Sequence, residues 1–106
     1  APSDLVVIYE DYDISEGHVR IRPSGSAGTH NGMRAVLAET GSSDFVRIRI
    51  GIRDPEVNIP IINYVLSNVR PEDYDLFVLA CGRAADAALA LAKGEKTEIV
   101  MTRYNG

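Results

Sequence analysis

Residues 45–52, Phe-Val-Arg-Ile-Arg-Ile-Gly-Ile, carry the clearest structural pattern in this sequence. Apolar and basic side chains alternate along it, so that Val46, Ile48 and Ile50 share one face while Arg47 and Arg49 share the other. A period of two residues is typical of a β-strand that buries one face and leaves the other polar. We therefore predict a strand here, with one apolar and one basic face.

Two further strands are predicted on the N-terminal side of this stretch. Leu5-Val6-Val7-Ile8-Tyr9 is a short apolar run rich in β-branched residues, which is typical of a strand buried on both faces. The acidic cluster Glu10-Asp11-Tyr12-Asp13 follows it, so we expect these acids just past the end of the strand. Val19-Arg20-Ile21-Arg22 again alternates apolar and basic side chains, and Pro23 ends it.

A short helix is predicted between the second and third strands. Met33, Val36 and Leu37 have the spacing of an amphipathic helix. Asn31 is the expected N-cap, and Gly41 is the expected stop.

A long helix is predicted near the C-terminus, from about Pro71 to Lys93, with Gly94 as its stop. Its buried stripe is mostly alanine and includes Cys81, which we interpret as a small core residue. Residues 53–63 indicate an irregular connection, and Tyr64-Val65-Leu66 a short extended piece or a helical turn. These elements predict an α/β fold with a mixed, twisted sheet of three to four strands and flanking helices.

Composition limits the classes of protein to consider. A chain of 106 residues with 25% charged and 45% hydrophobic residues fits one small domain, residues 1–106. One cysteine excludes a disulfide framework within the chain and, with only two histidines, argues against a zinc site. The single cysteine also favours a reducing, cytoplasmic location. Since no run of eighteen apolar residues occurs, we expect no membrane-spanning helix.

The net charge of −4 conceals an uneven distribution. Residues 1–19 carry five acids and no base, whereas residues 20–53 carry six arginines and two acids. Arginine is well suited to phosphate, so the middle of the chain could form a nucleic-acid face. Alternatively, these arginines lie on the polar faces of strands and pair with nearby acids.

A loop of small residues, 24–32, joins the second strand to the first helix. Its glycines permit close backbone approach by a ligand, and the helix start offers free N–H groups. His30 and Asn31 lie at this helix start, where they could exchange a proton or hold a carbonyl or water. The alternative is a structural turn with a capping asparagine.

In order and spacing, these segments resemble bacterial peptidyl-tRNA hydrolase. The family pattern H-D-[DE]-L-D-L corresponds to residues 9–14, G-x-[IL]-R-[IL]-[RK] to 17–22 and G-G-H-N-G to 28–32. Its F-x-R-[LI]-R-I-G-I-G pattern corresponds to residues 45–53, Y-V-L to 64–66 and M-N-R-F-N to 101–105. The resemblance spans nearly the whole chain, and it implies a partial peptidyl-tRNA hydrolase-like domain of the phosphorylase/hydrolase-like class.

The resemblance implies hydrolysis of the ester between a peptide and the 3′ end of tRNA. In the family a histidine acts as general base on water, an aspartate orients it, and asparagines position water and substrate, with no metal or other cofactor required. Carried over by motif, Glu10 aligns with the orienting aspartate and Asn31 with a catalytic asparagine. Gly28, His30 and Asn31 align with substrate-binding positions. Arg20, Arg22 and Arg49 align with the basic strand positions that contact tRNA phosphates.

The sequence also departs from the family pattern. In the family, G-L-G-N-P-G and R-H-N carry the general-base histidine and a first asparagine, and P-x-x-x-M-N carries a second asparagine; these motifs have no counterpart here. Glu10 is one methylene longer than aspartate, and Asp11 could serve instead if the register slips by one residue. Thr29 and Arg53 replace glycines of the family pattern. His30 could be considered as a substitute base.

We therefore expect a C-terminal fragment of a longer domain, inactive alone. Without the absent segment, the strand at residues 5–9 would have an unpaired edge, so the chain would self-associate or pair with that segment. A non-catalytic relative that retains a tRNA- or ligand-binding surface is the alternative. A small-ligand or protein-binding α/β module is a third possibility.

Overall fold

The computed structural model describes residues 1–28, 30–54, 56–60, 63 and 69–106. In chain order, the structure has strands β1 (Val6–Ser15) and β2 (Val19–Arg22), helix α1 (Asn31–Thr40), strand β3 (Val46–Arg53), and then helices α2 (Tyr74–Ala92) and α3 (Thr97–Tyr104). Short 3₁₀ turns occupy Pro2–Asp4 and Pro71–Asp73. Both predicted helices are present, and the predicted 64–66 segment lies outside the described residues.

In the described part of the chain, the sheet has three strands in the order β1-β3-β2. β1 runs parallel to β3, with Val6 opposite Val46 and Asp11 opposite Gly51. β2 runs antiparallel to β3. The mixed three-stranded sheet with helices confirms the predicted fold class.

The core lies on the apolar face of β2 and β3. Val19, Ile21, Ile48 and Ile50 of the sheet pack against α2 and against Val100 of α3. Helix α2 contributes four buried alanines, Ala80, Ala84, Ala87 and Ala90. Because alanine side chains are short, the helix lies close to the sheet, as its sequence predicted.

The structure of β1 differs from the prediction in two respects. It continues to Ser15 rather than ending at Tyr9, so the acids at residues 10–13 lie within the strand. The expectation that it is buried on both faces was wrong, since Ile8 is 44% exposed. The reason is position: β1 lies at one edge of the described sheet, with β3 on one side only.

Gly51 permits an irregularity that extends β1. The register between β1 and β3 shifts between Asp11 and Ser15. A Cβ atom at Gly51 would overlap the Ser15 carbonyl oxygen and lie 2.7 Å from Cγ2 of Ile14. The two backbones can approach this closely because glycine has no side chain.

Helix α3 was not predicted. Thr97, Ile99, Val100 and Thr102 are β-branched, which lowers the helix propensity of the segment. Tertiary contacts compensate, because Val100 is fully buried against α2.

Candidate active site

His30 is held at both ring nitrogens. The backbone N–H of Met33 donates to its Nδ1 at 3.0 Å, and its Nε2 lies 2.8 Å from Oε1 of Glu10. An Nδ1 that accepts a hydrogen bond is unprotonated, so in the neutral ring Nε2 carries the proton and donates it to Glu10. The ring of Tyr9 meets His30 edge-on, with centroids 5.0 Å apart.

This arrangement defines what His30 can do. With Nδ1 accepting from the helix and Nε2–H donating to a carboxylate, neither nitrogen has a free lone pair with which to take a proton from water. The geometry favours a positioning role for His30 over that of substitute general base. Asp11, the second candidate carboxylate, pairs instead with Nη1 of Arg49 at 3.0 Å.

The N-cap prediction was wrong by one residue. His30, not Asn31, has the extended backbone of the cap, and its side chain accepts the Met33 N–H. Asn31 is the first residue of α1 and is exposed. The imidazole takes the capping position because Glu10, twenty residues earlier, holds its other nitrogen. Gly41 ends α1 with a φ of 66°, as predicted.

The loop that leads to α1 depends on glycine geometry at Gly28. Its φ is 56°, in the left-handed region that glycine favours. Its carbonyl oxygen accepts a hydrogen bond from Nη2 of Arg34 at 3.1 Å, which fastens the loop to the helix that follows. Thr29, at which this loop departs from the family pattern, lies outside the described residues.

Four arginines form adjacent pairs across β2 and β3. Arg20 lies opposite Arg49, and Arg22 lies opposite Arg47. Directly opposed residues share a face of the sheet, and like charges there are destabilising. The Asp11 carboxylate offsets this repulsion by pairing with Arg49. One of the arginines in residues 20–53 therefore does pair with an acid. Within the described residues, Arg20 forms no ion pair and is exposed.

Arg47 was missed by sequence reasoning. The alternating pattern predicts that it lies on a polar strand face, but it is only 2% exposed. Nη1 donates to the Ser26 carbonyl at 3.2 Å and Nη2 to the Ser43 carbonyl at 2.9 Å, while the guanidinium lies 4.7 Å from the centroid of the Phe45 ring. Arg47 thus fastens the small-residue loop to β3. Nothing in the local pattern distinguishes it from Arg49.

Consecutive residues of β1 bring the candidate groups together. Glu10 holds His30, its neighbour Asp11 holds Arg49, and Tyr9 contacts His30 while lying opposite Arg49 in the β1–β3 register. The face of β2 and β3 that carries Arg20, Arg22 and Arg49, which we call the arginine face, therefore adjoins the loop at this stretch of β1. Arg22 lies further along β2, where Nη1 donates to the Ile21 carbonyl.

A second group of acids lies apart from these residues. Carboxylate oxygens of Glu16, Asp54 and Asp73 all lie within 4.8 Å of one another. Burial, together with Asp73, raises the pKa of Glu16 to about 7. The Arg70 guanidinium binds Asp54 at 2.6 Å and Asp73 at 3.0 Å. Arg70 thus pairs with two of these three carboxylates.

Cys81 lies on the sheet side of α2, partly buried against the core. Burial raises the pKa of its thiol, which disfavours the nucleophilic thiolate. The prediction of a small core residue is confirmed.

Comparison with known proteins matches this chain to one family. The sequence model of the peptidyl-tRNA hydrolase family matches residues 1–106. The chain is 43% identical over 103 residues to peptidyl-tRNA hydrolase of Enterococcus faecalis, covering 97% of this chain and 55% of that protein. It is 42% identical over 99 residues to the Halalkalibacterium halodurans enzyme, covering 93% and 54%.

Solved structures agree on the fold. The crystal structure of peptidyl-tRNA hydrolase from Acinetobacter baumannii superposes with a TM-score of 0.76 at 24% identity, covering 99% of this chain and 54% of that one. The chain therefore spans about half the length of the relatives that it matches. Among the helices in the described residues, none is both long and apolar enough to cross a membrane.

Proposed function

Because this chain belongs to the peptidyl-tRNA hydrolase family, we propose that it is the C-terminal portion of an enzyme that cleaves the ester between peptide and tRNA 3′ end. Such an enzyme recycles tRNA in the cytoplasm and needs no cofactor. The observation that carries the proposal is the contact between Glu10 and His30, which sets the carboxylate aligned with the family's orienting aspartate beside the loop.

Glu10 is suited to orient a histidine supplied by another segment. Its Oε1 accepts from His30, and in the described part of the chain Oε2 takes part in no hydrogen bond. The Glu10 side chain is 53% exposed, so Oε2 can be reached from outside. A carboxylate that binds one imidazole nitrogen fixes the tautomer in which the other can take a proton from water. The bond to His30 offsets the freedom that the extra methylene of glutamate brings.

The loop is proposed to receive the peptide and the 3′ end. Gly28 offers its backbone, His30 fixes the start of α1, and the exposed Asn31 amide can bind a carbonyl or the attacking water. The positions of His30 and Asn31 at the start of α1, beside Glu10, support these roles.

The arginine face is proposed to contact tRNA phosphates. Arg20, Arg22 and Arg49 carry guanidinium groups on the face of the sheet opposite the apolar core. Phosphate contacts position a nucleic acid and carry no base information. Replacing Arg20 or Arg49 with alanine should therefore weaken binding similarly for all tRNAs. Each replacement should also reduce the slope of the logarithm of the binding constant against the logarithm of the salt concentration, by about the contribution of one phosphate contact. Arg103→Ala on α3 is the matched control.

The exposed edge of β1 is proposed to pair with the absent N-terminal segment. Ile8 on this strand is 44% exposed, and in the described sheet only β3 pairs with β1. A strand added there would cover the open backbone groups and bring its histidine towards Glu10. Activity then requires both portions.

A peptidyl-tRNA mimic tests this division. We expect no hydrolysis by this chain alone and hydrolysis when the chain is mixed with an N-terminal half from a relative. Glu10→Ala should lower the rate of the mixture, while Glu10→Asp should retain much of it. Activity of the chain alone would refute the requirement for a second segment. If the mixture binds tRNA without hydrolysis, the chain is instead a non-catalytic relative that retains the arginine face.

A further inference from the structure

Arg47 holds both ends of the stretch of chain that contains α1. Its Nη1 donates to the carbonyl of Ser26, before the helix, and its Nη2 donates to the carbonyl of Ser43, after the helix. We call the described residues between these two serines, 27–28 and 30–42, the loop–helix segment. A single guanidinium on β3 therefore fixes the entry and the exit of this segment.

The guanidinium lies in a buried position that this chain's own residues build. Arg47 is 2% exposed, and its guanidinium lies 4.7 Å from the centroid of the Phe45 ring, which is itself buried. On another side the backbone of Gly25 passes close by, since a Cβ atom there would lie 3.7 Å from Nη1. The position of the guanidinium is thus specified by the loop, the ring and β3 together.

The buried charge of Arg47 has little to compensate it. Among the described residues, no acid forms an ion pair with Arg47, and its buried Nε has no hydrogen-bond partner. The residue that lies opposite Arg47 on β2 is another cation, Arg22. Burying a charge costs free energy, and replacing buried charged groups with apolar side chains of similar size is often neutral or stabilising. Stability alone therefore does not explain a guanidinium here.

Apolar packing contributes little to holding the loop–helix segment. Met33 is the one residue of α1 that is buried, and it lies outside the core formed by α2, α3 and the sheet. The contact between His30 and Glu10 holds the start of the helix only. In the described part of the chain, Arg47 is thus the residue that ties both ends of the segment to the sheet.

We propose that Arg47 is a positioning residue for substrate binding. By holding the loop–helix segment against β3, its guanidinium keeps Gly28, His30 and Asn31 in one arrangement, ready to receive the peptide and the 3′ end. This inference rests on the function proposed above for the segment. Arg47 itself contacts no substrate, because its guanidinium is covered by the loop.

Arg47→Met is the variant that tests this role. Methionine keeps an unbranched apolar stem beside the Phe45 ring but lacks the two donors. Ser26 and Ser43 are exposed residues, so water can bind their carbonyl oxygens in place of the guanidinium. Because the buried charge is also removed, Tm should change little. Arg47→Lys keeps the charge and can reach only one of the two carbonyls, so its effects should be smaller.

Arg83→Met is the matched control. Arg83 on α2 also donates to a main-chain carbonyl, that of Tyr104, and its guanidinium also lies near an aromatic ring, 6.0 Å from the centroid of Tyr104. It belongs to the α2 side of the sheet and makes no hydrogen bond to the loop–helix segment within the described residues. Loss of an arginine of this kind is thus separated from loss of the attachment.

NMR of this chain measures the attachment directly. The rings of Tyr9 and His30 lie 5.0 Å apart, so a nuclear Overhauser effect between them reports where the segment lies relative to β1. We expect this signal to be lost in Arg47→Met and kept in Arg83→Met. Signals between Ile21 and Ile48, which lie opposite each other in β2 and β3, should remain in both variants.

Hydrolysis of the peptidyl-tRNA mimic by the chain mixed with an N-terminal half from a relative links the attachment to substrate. If the released segment holds the binding arrangement about one tenth of the time, KM for Arg47→Met should rise about tenfold. The kcat should stay within about twofold, because bound substrate selects the held arrangement. Arg47→Lys should raise KM less, and Arg83→Met should change neither constant.

The outcomes distinguish this inference from the proposed function. If the unsubstituted mixture does not hydrolyse the mimic, the proposed function fails, and the role of Arg47 in that reaction fails with it. If the unsubstituted mixture is active and Arg47→Met leaves KM unchanged, or lowers kcat alone as partial unfolding would, only the positioning role is overturned. A Tyr9–His30 signal that persists in Arg47→Met would overturn it as well.

Discussion

The hydrogen bonds of His30 lead to a prediction about both structure and protonation. If the ring caps α1 through Nδ1 and donates to Glu10 through Nε2, neutral His30 must be the Nε2–H tautomer. Removing the side chain should then loosen the first turn of α1 and release Glu10. His30→Ala tests both consequences, and His30→Asn separates them, because asparagine is also a good N-cap but cannot reach Glu10 in the same way.

The size of the effect follows from the two contacts. Loss of an N-cap acceptor costs about 1 kcal/mol. The pair with Glu10 adds at most about 1 kcal/mol, because the two side chains are 25% and 53% exposed and solvent screens them. We therefore expect His30→Ala to reduce the free energy of unfolding by about 1.5 kcal/mol and to lower Tm by about 6–12 °C in a domain of this size. His30→Asn should cost less than half as much.

Three measurements check this reasoning. Urea unfolding gives the free-energy changes, and amide exchange should show that Met33 loses protection in His30→Ala but keeps it in His30→Asn. Nitrogen-15 NMR of the imidazole reports which nitrogen carries the proton. An Nδ1–H tautomer, or full protection of the Met33 amide in His30→Ala, would refute the capping geometry and leave His30 available as a base.

Further predictions concern residues away from His30. Gly51→Ala should destabilise the chain by about 3 kcal/mol, because its Cβ collides with the Ser15 carbonyl oxygen; an unchanged Tm would contradict the close approach of the two strands. Burial raises the pKa of the Glu16 carboxyl from 4.5 to about 7 in the folded state, which therefore binds this proton more tightly than the unfolded chain does. The free energy of unfolding should consequently fall as the pH rises from about 5 to 7.5, by about 1 kcal/mol once solvent screening of this partly exposed group is allowed for. Urea unfolding against pH checks this, and Glu16→Gln should flatten the profile. Asn105→Ala should cost about 1–2 kcal/mol, because the amide of Asn105 binds both the N–H and the carbonyl of Ile21 on β2; loss of amide-exchange protection at Ile21 is the expected sign, and retained protection would count against the contact.

Several parts of the fold could be predicted from local sequence, because they depend on interactions between near neighbours. The alternation in residues 45–52 specifies a strand with one apolar face, and the alanine stripe of α2 specifies a helix that packs closely. Gly41 ends α1 through its own backbone conformation. These features do not depend on where the rest of the chain lies. Helix α3 could not be predicted in this way, since burial of Val100 outweighs its weak propensity.

The arrangement of the candidate site was decided by tertiary structure. Arg47 and Arg49 occupy equivalent positions in the same alternating pattern, yet the loop at Ser26 covers one and Asp11 binds the other. His30 replaces Asn31 as the cap because a carboxylate from β1 holds its second nitrogen. By itself, the sequence determined which residues could take part, through side-chain chemistry and periodicity. Which of them meet was decided only when distant segments packed together, because a hydrogen bond or ion pair depends on separation in space and not along the chain.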